Sequence, residues 1–175
     1  MRKGSFAAIA ALVVAASAGS SAIAGSIFSN KTLNNNYIIS GSGFMEDSNA
    51  DEGNMVVNGI ISFNGTGGVN LGATQLTFSI ADDAGAFDNI ICQPTLAGGS
   101  YSVNADGTGT MHLGFDQSNQ HCFGDAPGSM DFFLAVGKFG KAPNQFILSD
   151  FNGLTLLDID EEIESITLQG SLTRQ

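Results

Sequence analysis

Tryptophan is absent from this sequence, tyrosine and cysteine occur twice each and proline three times, and lysine and arginine together supply only 6 of 175 residues. Each scarcity excludes something. Set against 17 acidic residues, so few basic ones make the chain a poor partner for nucleic acid or for an anionic membrane surface, both of which are gripped by clustered cations. No stretch beyond residue 25 sustains a helical period, which removes helical folds. No serine sits in a Gly-x-Ser-x-Gly elbow. The glycine-rich turns lack the helix and lysine that phosphate binding requires.

What is present begins with a processing segment. Arg2 and Lys3 give a charged start, residues 6–18 an apolar stretch rich in alanine and valine, and Ala22-Ile23-Ala24 a small-residue cleavage site. Residues 1–24 therefore read as an export signal rather than a membrane anchor, since the apolar run is short for a span. This leaves 25–175 as one domain, secreted or periplasmic. Without the signal, four basic residues stand against seventeen acidic ones, a formal net charge of −13.

The clearest local pattern is Ser100–Asp116. Tyr101 and Val103 alternate before the turn Asn104-Ala105-Asp106-Gly107, and Met111, Leu113 and Phe115 alternate after it, predicting a hairpin. The same period of two recurs in eight segments: Asn36–Phe44, Met55–Asn64, Val69–Ile80, Tyr101–Asn104, Thr108–Asp116, Met130–Gly137, Asn144–Phe151 and Ser165–Arg174. In the third, the apolar parity changes, predicting a bulge near Thr74. Eight successive strands predict an all-β fold, a single eight-stranded antiparallel up-and-down β-barrel, because closure removes exposed edges. A two-sheet β-sandwich is the alternative. In the barrel, Met45–Asn54, Ala81–Ser100, Gln117–Ser129 and Asn152–Glu164 become long acidic connections at one mouth, and Lys138 and Lys141 mark the opposite end.

Two cysteines in an exported chain predict a disulfide. Counting outward from the hairpin turn places Cys92 opposite position 119, close to Cys122. Zinc binding by Cys92, Cys122, His112 and His121 matches no zinc spacing, and adjacent His121 and Cys122 would point apart in a strand. Asp47-x-Asn49-x-Asp51 opens like a calcium loop, with oxygen ligands at alternate positions, but Glu52 stands where the loop glycine belongs and Asn58 where the bidentate glutamate belongs. Solvated loop charge accounts for the same residues, and no other cofactor is expected. Paired acids such as Asp82 and Asp83, or Asp160 and Glu161, suit acid–base work only if one is desolvated. His112, out of phase with its apolar neighbours, reads as a surface residue.

Four segments carry a resemblance: Asn35–Phe44 (NNYIISGSGF), Gly59–Gly67 (GIISFNGTG), Tyr101–Thr110 (YSVNADGTGT) and Gly170–Gln175 (GSLTRQ). They are similar to a broad group of uncharacterised secreted bacterial β-barrel proteins with a calycin-like (lipocalin-like) or allene-oxide-cyclase-like barrel. The likeness rests on turn and strand patterns, so it implies a fold and carries over no cyclase catalytic residue.

Three functional readings follow. The first is an exported, non-enzymatic barrel that binds a small apolar ligand or a surface component, with Phe63, Phe78, Tyr101, Met111, Phe115 and Phe132 either lining a cavity or filling the core. An eight-stranded outer-membrane barrel is the second, opposed by the absence of tryptophan, by only two tyrosines for aromatic girdles, and by an Arg174-Gln175 ending. An isomerase or cyclase is the third, by analogy of fold alone.

Overall fold

The computed structural model describes residues 28–47, 52–82, 90–116, 128–137, 144–152, 155–156 and 161–175. The segment expected to direct export, residues 1–24, lies outside them. The described chain is all-β, with 3₁₀ turns at Asn30–Thr32 and Leu71–Ala73 as its helical elements. The strands are β1 (Asn36–Asp47), β2 (Glu52–Ser62), β3 (Gln75–Asp82), β4 (Ile90–Cys92), β5 (Leu96–Val103), β6 (Thr108–Phe115), β7 (Ser129–Ala135), β8 (Asn144–Asn152), β9 (Thr155–Leu156) and β10 (Glu161–Arg174).

Nine of them form one antiparallel, curled half-barrel sheet in the order β4-β3-β2-β1-β10-β8-β7-β6-β5, with β9 added to β10. The first and last long strands are neighbours, from Tyr37↔Arg174 to Asp47↔Ile163. The ladder ends at β4 on one side and β5 on the other. Beyond the end of β2, residues 62–70 fold back and hydrogen-bond β5: Asn70 N donates to Ser62 O at 2.8 Å, Tyr101 N to Gly67 O at 2.8 Å, and Val69 N to Gly99 O at 3.1 Å.

The period-two pattern fixes which side chains enter the core. Tyr37, Ile39 and Met45 of β1, Met55, Val57 and Ile61 of β2, Leu76, Phe78 and Ile80 of β3, and Met111, Leu113 and Phe115 of β6 are all buried; their sequence neighbours are more exposed, except Ser62, which is buried at the end of β2. The hairpin closes as expected, with Val103 opposite Gly109 and Tyr101 opposite Met111. Its turn is held by Asn104 N to Thr108 O at 2.8 Å and by Asp106, which accepts from the amide and hydroxyl of Thr108. Gly107 has φ +91°, a conformation that costs glycine little. The two bonds from Thr108 hold the Asp106 carboxyl below its ordinary pKa.

Several expectations need correction. The parity change in the third segment is the 3₁₀ turn Leu71–Ala73, not a bulge: Val69 bridges Phe63, the chain turns, and β3 starts afresh at Gln75. The connection expected at Met45–Asn54 is mostly strand, since β1 runs to Asp47 and β2 starts at Glu52, with Glu46 opposite Glu52. The strand expected at Tyr101–Asn104 begins earlier, at Leu96. Position 119, which the hairpin count set opposite Cys92, lies outside the described residues. After residues 93–95, which are not strand, β4 sits on the edge of β3 and puts Cys92 opposite Phe78.

At the centre of the core, glycines make room for an aromatic ring. Gly41 and Gly170 face each other across β1 and β10. A Cβ on Gly41 would lie 2.7 Å from Cζ of Phe146, and one on Gly170 would lie 2.6 Å from it. Phe146, 1% exposed, therefore lies over a floor without side chains.

Candidate functional site

The six aromatic and methionine side chains expected at a cavity, Phe63, Phe78, Tyr101, Met111, Phe115 and Phe132, are all buried in one cluster. The five aromatic rings pack on one another or on neighbouring rings edge to face: Phe63 on Tyr101 at 4.8 Å between centroids, Phe63 on Tyr37 at 5.5 Å, Phe78 on Phe115 at 6.1 Å and Phe132 on Phe146 at 5.7 Å. Such pairs add to burial through their quadrupoles. The Tyr101 hydroxyl donates to Leu33 O at 2.7 Å and lies 3.0 Å from Asn30 O, which ties the N-terminal 3₁₀ turn to β5. Burial pushes the Tyr101 and Tyr37 phenols above their ordinary pKa.

A concavity lies instead on the outer face. Along β1 the outward positions are Ile38, Ser40, Ser42 and Phe44, and Phe44 is 60% exposed. Its backbone is pinned by Thr167, whose Oγ1 accepts from Phe44 N at 3.2 Å. Beside it, β8 pairs with β10 only from Leu172↔Asn144 to Gln169↔Ile147. One extra residue in β8 opposite β7, between the pairs Phe132↔Leu148 and Asp131↔Asp150, bends the strand. Farther along, β10 carries β9.

A groove of about 450 Å³ opens where β8 and β10 part. It is lined by residues 42–44 and 54–56, by Ile147 and Leu148, and by residues 166–169. Its outward apolar side chains include Phe44, Val56 and Ile147; its polar ones are Ser42, Asn54, Thr167 and Gln169, and none is charged. Gly43 keeps the floor thin, because a Cβ there would collide with the Thr167 carbonyl. The groove is thus an uncharged, largely apolar surface with a few polar groups at its margins.

Sequence reasoning missed this groove, although a signal was available. Apolar residues run unbroken through Phe132-Phe133-Leu134 and Phe146-Ile147-Leu148, so the outward member of each run breaks the polar face. Phe133 is 62% exposed and Ile147 is 45% exposed.

The other candidates are placed as follows. Only the backbone of Asp47 is described among the calcium candidates; Asn49 and Asp51 lie outside the described residues. That segment joins two paired strands, whereas a calcium loop of the expected kind joins helices. Among the described residues, no group of three or more His, Cys, Asp or Glu is placed to hold a metal. Cys92 is buried and is not a free thiol, but Cys122 and His121 lie outside the described residues.

Ser100, His112 and Asp131 are successive register partners on the outer face. His112 Nδ1 lies 2.8 Å from Asp131 Oδ1, with both side chains nearly half exposed. The other ring nitrogen, Nε2, lies over Gly114, 3.9 Å from where its Cβ would be. The His112–Asp131 contact is that of a half-exposed surface pair.

No protein-family model, curated protein or solved structure matches this chain.

Proposed function

We propose that the protein is an exported, non-enzymatic binding barrel that takes up a small apolar ligand or a component of a cell surface. The uncharged groove between β8 and β10, with Phe44 standing 60% exposed beside it, is the observation that carries this reading. Export by residues 1–24 and a Cys92–Cys122 cross-link belong to the same proposal. So does a closed, calycin-like or allene-oxide-cyclase-like cylinder, in which residues 62–70 serve as the closing element. The hydrogen bonds from those residues to β2 and to β5 support closure.

The direction of the polar face favours this reading over an outer-membrane barrel. Ser40, Ser42, Asn58, Ser102, Thr110, Gln145, Thr167, Gln169 and Thr173 are exposed on the convex side, and the continuous apolar set lies on the concave side. A lipid-spanning barrel needs the reverse, an apolar band outside. Detergent-free fractionation should leave the protein soluble. Native mass spectrometry of material from its own source should show a retained small molecule that is lost in Phe44→Ala. Repeated recovery of the bare mass, with no ligand-induced rise in melting temperature, would refute the binding role.

A further inference from the structure

We propose that the groove and the face beside it bind a neutral glycan chain; this rests on the binding role just given and names its ligand class. Two outward rows of side chains carry the inference. In one, register partners run Val56, Ser42, Gln169, Ile147 and Phe133 across β2, β1, β10, β8 and β7. In the other, Asn54, Phe44 and Thr167 cross β2, β1 and β10. Exposed aromatic rings thus stand at two places, Phe44 and Phe133, with hydroxyl and amide side chains between them.

A sugar ring presents an apolar C–H face and a rim of hydroxyls, so it stacks on an aromatic ring while its rim exchanges hydrogen bonds with Ser, Thr, Asn and Gln. The groove matches both halves of that chemistry. Charge narrows the class further. The groove has no cation to hold a carboxylate or sulfate, and it belongs to a chain of formal charge −11, so anionic polysaccharides are disfavoured. The span narrows it again. From Phe44 to Phe133 is three strand spacings across and two residues along, about 15 Å. A single small ring does not bridge that distance and a linear chain does.

The test is affinity electrophoresis of the whole exported protein in gels containing a neutral β-glucan, α-mannan, xylan or galactan, with sedimentation velocity alongside. Retardation is expected in at least one, weakened tenfold or more by Phe44→Ala and by Phe133→Ala, kept by Phe44→Tyr, and unaffected by Ile91→Ala, which trims an equally exposed side chain on β4. Circular dichroism melts establish that each variant folds. Absence of retardation in every gel overturns the proposal, as does retardation indifferent to both phenylalanines. A dimer that Phe133→Asp dissociates would assign the face to a second copy instead. If a hydrophobic dye binds in a Phe44-dependent way while no polysaccharide does, the glycan assignment falls and the binding groove stands. If neither depends on Phe44, both fall.

Discussion

Gly41→Ala is the substitution whose cost the structure defines most closely. The added methyl would lie 2.7 Å from Cζ of Phe146, 2.8 Å from the Gln169 carbonyl oxygen and 3.1 Å from Cγ1 of Val57. Carbon atoms rest at about 3.5–4.0 Å, so the ring must retreat by about 1 Å. At 1% exposure Phe146 has nowhere to go without moving its neighbours. The carbonyl moves only if the β1–β10 ladder moves. Overpacking of this kind costs about 1–3 kcal/mol, and the lower backbone entropy of alanine offsets about 0.5–1 kcal/mol. The net expectation is a loss of about 1–2 kcal/mol, read as a lower urea midpoint at unchanged slope. Phe146→Leu shortens the ring that the methyl strikes, so the double variant should be more stable than the sum of the single losses by at least about 0.5 kcal/mol. Gly72→Ala is the control, with nothing within 4 Å of its Cβ position, and should change stability little. A Gly41→Ala protein as stable as the parent, or losses that simply add, would refute the glycine floor.

Tyr101→Phe removes the hydroxyl that satisfies the Leu33 carbonyl and should cost about 1–2 kcal/mol in the same urea assay. Because burial raises the Tyr101 and Tyr37 pKa above the unfolded value of 10.0, the fold keeps protons that the unfolded chain releases. Stability should therefore be level below pH 10 and fall as pH rises from there through the folded pKa, less steeply in Tyr101→Phe. If Cys92 and Cys122 are cross-linked, reduction should lower stability by about 2–4 kcal/mol, and Cys92→Ala should abolish that sensitivity to reductant. Asn64 accepts three hydrogen bonds at one oxygen, from Thr66 N, Thr66 Oγ1 and Gly68 N. Asn64→Ala should speed hydrogen exchange at the Val69 and Tyr101 amides, which cross the gap to and from β5. Slow exchange at both in the parent is what closure requires, and fast exchange at either would leave the half-barrel open.

Period-two alternation made most of the strands legible, because a strand with one buried face shows it in every second residue: Tyr37 and Ile39, Met111 and Leu113, and Phe132 and Leu134 each lie where the pattern puts them. Alternation does not say which face is concave. A water-soluble barrel and a lipid-spanning one share the same period, and only the sense of curling decides whether Ser42, Gln169 and Thr167 look outward or line a lumen. Short elements were illegible for a related reason. Ile90–Cys92 has too few residues to show a period, and its pairing with β3, which puts Cys92 opposite Phe78, is a contact remote from the hairpin. The groove depends on a still subtler event. One extra residue in β8 near Ser149 parts it from β10, and nothing in the local sequence marks a bulge there, since serine suits either face. Yet the consequence was written nearby: Ile147 and Phe133, like Ile38 and Phe44, are apolar on a face whose other members are mostly polar, and exposing them costs solubility without adding to the core. Residues that break the pattern at such a cost, on a sheet whose interior is already packed by Phe78, Phe115 and Phe146, are better explained by a partner for that face than by folding.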